Sequence, residues 1–427
     1  MDNSAQKVAS LLSSPSSDNN NSNSQRPPVN NPVSQAEKTQ APVAQPENMQ
    51  VAVPENSNDG RQPSLLGGSN FSQGAKSNVM PQIAKFEAMI AGAPLPPDLH
   101  EKAVAMIERL KLIQHQESFF MELDHIGRYI DWICALPWST ETKDILDLQH
   151  ARQVLDKNHY GLTQVKEQIL QYLSVMIIKA AQGGKDHFSR APIISLVGLA
   201  GVGKTTVAYS IAEALGRKIE RIPFGGMGAA SILRGQSRFS PDAEPGAVIK
   251  ALRRAGTNNP VILLDEIDRV SAEARGDIMG VLVELLDPEQ NRNYSDHFID
   301  YPFNLGNVLF VATSNNTKDI STAVLDRLEV IQMPSYSDQE KIVIAKTYLL
   351  PKVLVDSGFK VGDVQVSDPV WALVVRPLGY DPGIRSLQRT VQDLVRKVAL
   401  FQLDGKLPKG QPFALTEQNL RQFIPQW

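Results

Sequence analysis

Residues 198–206 read GLAGVGKTT, an order of residue types suited to holding phosphate. Gly198, Leu199, Ala200, Gly201, Val202, Gly203, Lys204, Thr205 and Thr206 follow the apolar run SLVG and precede the helical pattern VAYSIAEALG. Glycines let successive backbone N–H groups turn onto phosphate oxygens, and the N-terminus of the next helix adds partial positive charge. Lys204 can reach β- and γ-phosphates, and the Thr205 hydroxyl can ligate Mg²⁺. Further along, VILLDEID (261–268) is a buried-strand pattern ending in two carboxylates. Asp265 suits Mg²⁺, partly through water, and Glu266 suits polarisation of an attacking water. FVATSNN (310–316) is another apolar run with a polar tip, which places Asn315 to orient that water against the γ-phosphate. An Asp-Glu pair or an Asn by itself more often marks a solvated surface or a turn. The phosphate loop ahead of them gives these residues their meaning, and ATP with Mg²⁺ is the expected ligand set.

Two arginines complete the candidate chemistry. Arg327 lies between apolar positions in STAVLDRLEVIQMP (321–334). It either stabilises transition-state charge at a neighbouring subunit or makes an ordinary salt bridge to Asp326 or Glu329. Arg385 opens a C-terminal helical pattern, where it could sense the γ-phosphate or simply be exposed.

The elements that must position these residues read as α/β. Four apolar runs, 192–198, 218–224, 260–266 and 307–314, alternate with helical patterns across residues 151–335. Near-continuous apolar strands separated by helices predict a parallel sheet covered on both faces. Residues 81–150 read as a helical segment, with Asp98 expected to cap its second helix. Residues 336–427 read as a small all-helical lid. In the lid, SDQE (337–340) is a capping box. Asp381 and Pro382 are expected to open its long helix, and Gly405 to close it. Residues 1–80 are rich in Ser, Asn, Gln and Pro, with Phe71 their one aromatic, and predict a disordered tail.

Composition narrows the function classes. The net charge of −3 gives no bulk basic excess pointing to nucleic acid. The single cysteine, Cys134, cannot form an intramolecular disulfide, and beside Trp132 and Trp138 it reads as a buried, inert thiol. No apolar stretch of signal-peptide or membrane-span length is present, so a cytoplasmic protein is expected.

From about residue 85 onward the chain resembles the ATPase part of the Lon proteases, a branch of the AAA+ ATPases. The resemblance rests on NHYGLTQVKEQIL (158–170), GLAGVGKTT, PVILLDEIDRV, VELLDPEQNRNYSDHFIDYPFNL (283–305), LDRLEV (325–330) and the PGIRSLQR region. It implies an ATP-dependent hydrolase of protein quality control, a homo-oligomer assembled as a hexameric ring with ATP between subunits. Lys204, Thr205, Asp265 and Glu266 would form the cis site. Asn315 would be the first sensor, Arg385 the second, and Arg327 the finger reaching in trans. Tyr160 and Gly161 match the adenine side of the pocket.

Three departures from the family follow. A polar tail stands where a β-rich substrate-recognition domain is usual. The stretch after Arg385 is too short for the serine–lysine protease domain, so no peptidase residues are expected in this chain. Finally, RGQSRFSPDAEPG (234–246) places Ser240 and Pro241 where the family has an aromatic and an aliphatic residue facing the pore, with Asp242 and Glu244 following. Such a loop predicts a poor grip on a threaded chain, unless Phe239 has taken the aromatic role. The leading expectation is an ATPase that remodels proteins or feeds a separate peptidase. The alternatives are a nucleotide-switched scaffold and the ATPase chain of a split protease.

Overall fold

The structure, a computed structural model, describes residues 79–116, 118–181, 193–240, 242–376, 383–408 and 411–424. The tail expected over residues 1–80 lies outside these, except for its last two residues, which open a helix.

Four strands form where the apolar runs predict them: β1 (Ile193–Val197), β2 (Ile219–Pro223), β3 (Val261–Asp265) and β6 (Leu309–Ser314). A fifth strand, β7 (Leu328–Gln332), joins them in a parallel sheet of order β2-β3-β6-β1-β7. The sequence reading missed β7, the edge strand beside β1. Only Leu328 and Ile331 are buried, so the continuous apolar signature of a central strand is absent. Between β3 and β6 lies a short antiparallel pair, β4 (Tyr294–Ser295) with β5 (Pro302–Phe303).

Alternation along the strands builds two cores. Ile262, Leu264, Phe310 and Ala312 face one side, and Val261, Leu263, Leu309 and Val311 face the other. The second side is covered by α4 (Leu148–Asn158), α5 (Thr163–Ala181) and α6 (Lys204–Leu215). The first side shares its core with the N-terminal helices α1 (Val79–Gly92), α2 (Pro97–Leu112) and α3 (Phe119–Ala135), through Leu99, Tyr129, Ile130 and Ile133. Cys134 is half-buried there, and burial pushes its thiol up to about 11. Asp98 does not cap α2: Pro96 holds the cap position, and Asp98 sits in the first turn, where its charge still favours the helix dipole.

After residue 336 the chain is helical, with one correction to the all-helical reading. Val364–Val366 and Phe413–Leu415 pair as a short parallel ribbon. The Ser337–Glu340 capping box forms as expected. The long lid helix runs Arg385–Leu403, with Ile384 at its cap position, so it starts later than the sequence suggested. Asp381 and Pro382 lie outside the described residues. Leu387, Val391, Leu394, Val395 and Val398 bury one face of that helix, and Gly405 follows it at φ +72°, the left-handed turn that favours glycine.

Candidate functional site

The C-terminal ends of β1, β3 and β6 deliver the chemistry to one place, a cavity of about 390 Å³ between the sheet and the lid. Tyr160, Ala200, Gly201, Gly203, Lys204, Thr205, Thr206, Asp265, Glu266, Asn315 and Arg385 line it. The loop after β1 turns through Gly203 at φ +97°, which a side chain would strain, and α6 starts at the next residue. Val202 is fully buried in the core instead of facing the cavity. Gly198 and Leu199 contribute carbonyls: Lys204 Nζ donates to them at 2.6 and 3.0 Å, and to Asn315 Oδ1 at 3.0 Å. Burial pushes the Lys204 ammonium below its ordinary value, against the pull of Asp268 and Glu266.

Asp265 is buried at the end of β3. Its carboxylate accepts hydrogen bonds from Thr313 Oγ1, from Thr205 Oγ1 at 3.4 Å and from Arg221 Nε at 2.7 Å. The next residue, Glu266, holds a left-handed φ of +59°, rare for a residue with a side chain. That turn aims its N–H at Thr313 Oγ1, 2.9 Å away, and sets its carboxylate at the cavity, where Oε1 also lies 3.5 Å from Arg269 NH1. Asn315 is fixed through its backbone N–H to Asp268 Oδ2 at 3.1 Å. Its Nδ2 is buried and has no hydrogen-bond partner. An orphaned donor beside a parked lysine is costly unless a ligand completes it.

The lid closes on the phosphate loop directly. Ile384 N–H donates to Gly201 O at 3.0 Å, and a Cβ on Gly383 would come within 2.7 Å of Ala200 O. Arg385 thereby enters the cavity at the first turn of its helix. The lid also supplies Tyr336, Tyr348, Lys352 and Gln388, and His159 lies beside Tyr160. The sequence reading missed Tyr348, Lys352 and Gln388 because helical periodicity makes them look like ordinary lid positions, and Tyr336 and His159 because they lie in connecting segments. It also missed Arg221, hidden inside a strand pattern. Gly161 is at φ +65° next to Glu340 and does not line the cavity.

Arg327 is not in this cavity. Its salt bridge is neither to Asp326 nor to Glu329, as one sequence reading had it, but to Asp287 at 2.9 Å. After the short helix Thr322–Leu325, one side of the guanidinium stays on Ala323 O of that helix, and the other reaches Asp287 at the end of the helix Arg275–Leu286.

The 234–246 loop is held at both ends. Asp296, fully buried, accepts from Gly246 N at 2.7 Å, Phe298 N at 2.9 Å and Ile299 N at 3.1 Å. Burial pushes its carboxyl up, and those N–H groups oppose the shift. Arg238 lies over the Tyr129 ring, 4.8 Å from its centroid, and pairs with Asp300 at 3.7 Å. Phe239 beside it is 77% exposed. Ser240 is exposed, Asp242 is at φ +55°, and Glu244 pairs with Lys250 at 2.5 Å. Pro241 lies outside the described residues.

A parallel five-stranded sheet with this loop and these strand ends is the fold of a P-loop ATPase of the AAA class. Residues 194–336 match the model of the ATPase family associated with various cellular activities (AAA). The similarity becomes more particular in whole-chain comparison. Lon protease from Lawsonia intracellularis is 40% identical over 343 residues, 80% of this chain and 40% of that protein. Lon protease from Heliobacterium modesticaldum is 44% identical over 310 residues, covering 73% of this chain and 37% of that protein. Lon protease from Aquifex aeolicus is 41% identical over 324 residues, with 76% and 39% covered. The chain is therefore similar to Lon proteases over most of its length, and it spans about 40% of the length of the curated relatives it matches. Among the described residues, no helix is long and apolar enough to cross a membrane.

Proposed function

We propose that this chain hydrolyses ATP with Mg²⁺ and uses the cycle to remodel protein substrates as a ring-shaped homo-oligomer. The observation that carries the reading is the convergence of Lys204, Asp265, Glu266 and Asn315 on one cavity roofed by Arg385. Asp265 and Thr205 present the oxygens that Mg²⁺ takes alongside nucleotide phosphates and water. When bound, Mg²⁺ neutralises phosphate charge. Lys204 exchanges its two loop carbonyls for phosphate oxygens. Glu266 accepts the proton of the attacking water, whose oxygen bonds to the γ-phosphorus as the β–γ bridging bond breaks. Asn315 Nδ2 donates to the water or the γ-phosphate, which satisfies its orphaned N–H. Tyr160 and His159 border the end suited to the base. Arg385 senses the γ-phosphate from the lid, and Arg327 acts on a neighbouring subunit's nucleotide.

Remodelling is supported by Phe239. A bulky aromatic at an anchored loop tip can pack against many sequences. That placement favours Phe239 over Ser240 as the gripping residue, and the charge of Glu244 is paired to Lys250. The test measures ATP turnover and unfolding of a tagged protein by the full chain, with and without Mg²⁺. Turnover that needs Mg²⁺, together with unfolding lost in Phe239→Ala while turnover persists, supports the reading. Turnover without unfolding in the wild-type chain would instead favour the nucleotide-switched scaffold. A requirement for a separate peptidase chain would appear as proteolysis only on its addition.

A further inference from the structure

The Lon-like stretch 283–305 contains LLDPEQ, which the nucleotide cavity does not use. Its Asp287 stands at the C-terminal cap of the Arg275–Leu286 helix, and its two carboxylate oxygens do different work. Oδ1 is fixed by the backbone N–H groups of Glu289 at 3.0 Å and Gln290 at 3.2 Å. Oδ2 is thereby turned outward and accepts from Arg327 NH2 at 2.9 Å. On the other side of the guanidinium, NH1 donates to Ala323 O at 2.7 Å. Arg327 Nε is buried without a partner. The planar fork is thus clamped at both terminal nitrogens, leaving one further N–H on each to point away from the clamp. A long side chain held in one rotamer loses little freedom when it meets a phosphate, whereas a free arginine loses much.

We propose that Asp287 is the positioning residue for Arg327, orienting its guanidinium for the nucleotide of an adjacent subunit. The inference rests on the trans role given to Arg327 above. A bare salt bridge does not require the backbone to hold Oδ1, so the two-sided geometry separates orientation from simple charge pairing.

Four variants test it in the full chain: Asp287→Asn, which keeps the cap but turns a donor toward Arg327; Asp287→Ser, which also keeps an N–H acceptor but no longer reaches it; Arg327→Ala; and Asp287→Asn combined with Arg327→Ala. Each is assayed for ATP turnover, for binding of a fluorescent ATP analogue and for thermal unfolding. The expected result is a kcat lowered by about tenfold or more in both Asp287 variants, given the cost of a misplaced catalytic group. KM and analogue binding stay within about twofold, and Asp287→Asn adds no further loss on an Arg327→Ala background. A general folding defect would instead lower the thermal unfolding midpoint, reduce the amount of analogue bound and add to the Arg327→Ala loss, which overturns the proposal. Wild-type kcat in both Asp287 variants, with Arg327→Ala impaired, overturns it while leaving the trans role intact. Wild-type kcat in Arg327→Ala removes the trans role and the positioning role together.

Discussion

Glu266 carries the clearest residue-scale prediction. Its left-handed backbone orients the carboxylate into the cavity, while its N–H is already satisfied by Thr313. Glu266→Gln keeps shape and loses the proton acceptor. ATP turnover should fall at least about tenfold, with binding of a fluorescent ATP analogue retained. Equal loss of binding and turnover would mean that the side chain holds nucleotide instead. His159 makes a pH prediction. Its ring bonds Ser210 Oγ at 2.8 Å, and burial, aided by Lys166 and opposed by Glu213, lowers its pKa from 6.5 to about 4. The unfolded chain therefore binds the proton more readily between those values, so stability is present above pH 6.5 and is lost as pH falls toward 4. The loss is on the order of 3 kcal/mol. Urea unfolding at pH 7 and pH 5 should show a drop in the wild type that His159→Gln lacks. At this scale the sequence was most informative where chemistry is local: the phosphate loop and the Asp265–Glu266 pair are contiguous. Gln388 reaches the cavity and Arg221 reaches the Asp265 carboxylate from distant elements, so no spacing reveals them.

At the scale of elements, Asp296 links two parts of the Lon-like stretch to the loop bearing Phe239. A Cβ on Gly246 would approach Leu233 O to 1.9 Å, so the two ends of the loop are in close backbone contact. Asp296→Ala would leave the N–H groups of Gly246, Phe298 and Ile299 buried without acceptors. Destabilisation of about 3 kcal/mol or more is expected in denaturant unfolding, because each orphaned donor costs about 1–3 kcal/mol. A change under about 0.5 kcal/mol, the usual range for surface substitutions, would show that the clasp is unimportant. The central strands were legible because both faces are buried and their apolar runs are continuous. Edge strand β7 was not, because Glu329, Val330 and Gln332 are not buried. Asp98 failed as a cap because Pro96 and Pro97 already set the turn into the helix.

At the scale of the whole molecule, the two candidate arginines sit on different surfaces. Arg385 lines the cavity of its own chain, while Arg327 is clamped outside it. If the ring reading holds, Arg327→Ala and Lys204→Ala subunits should each be inactive alone and regain part of the turnover when mixed, since each supplies what the other lacks. Full activity of Arg327→Ala by itself would refute the shared site. The sequence made this division visible only through its likeness to Lon, because no spacing within one chain can show which group acts on a neighbour. The central claim, that ATP turnover here serves protein remodelling, is tested most directly by one measurement. ATP hydrolysis by the full chain is followed as an unfolded model protein is titrated in, with Glu266→Gln as the background. The account predicts Mg²⁺-dependent turnover above that background that rises as unfolded protein is added. Turnover no higher than that of Glu266→Gln, or a rate indifferent to unfolded protein at every concentration, would contradict it.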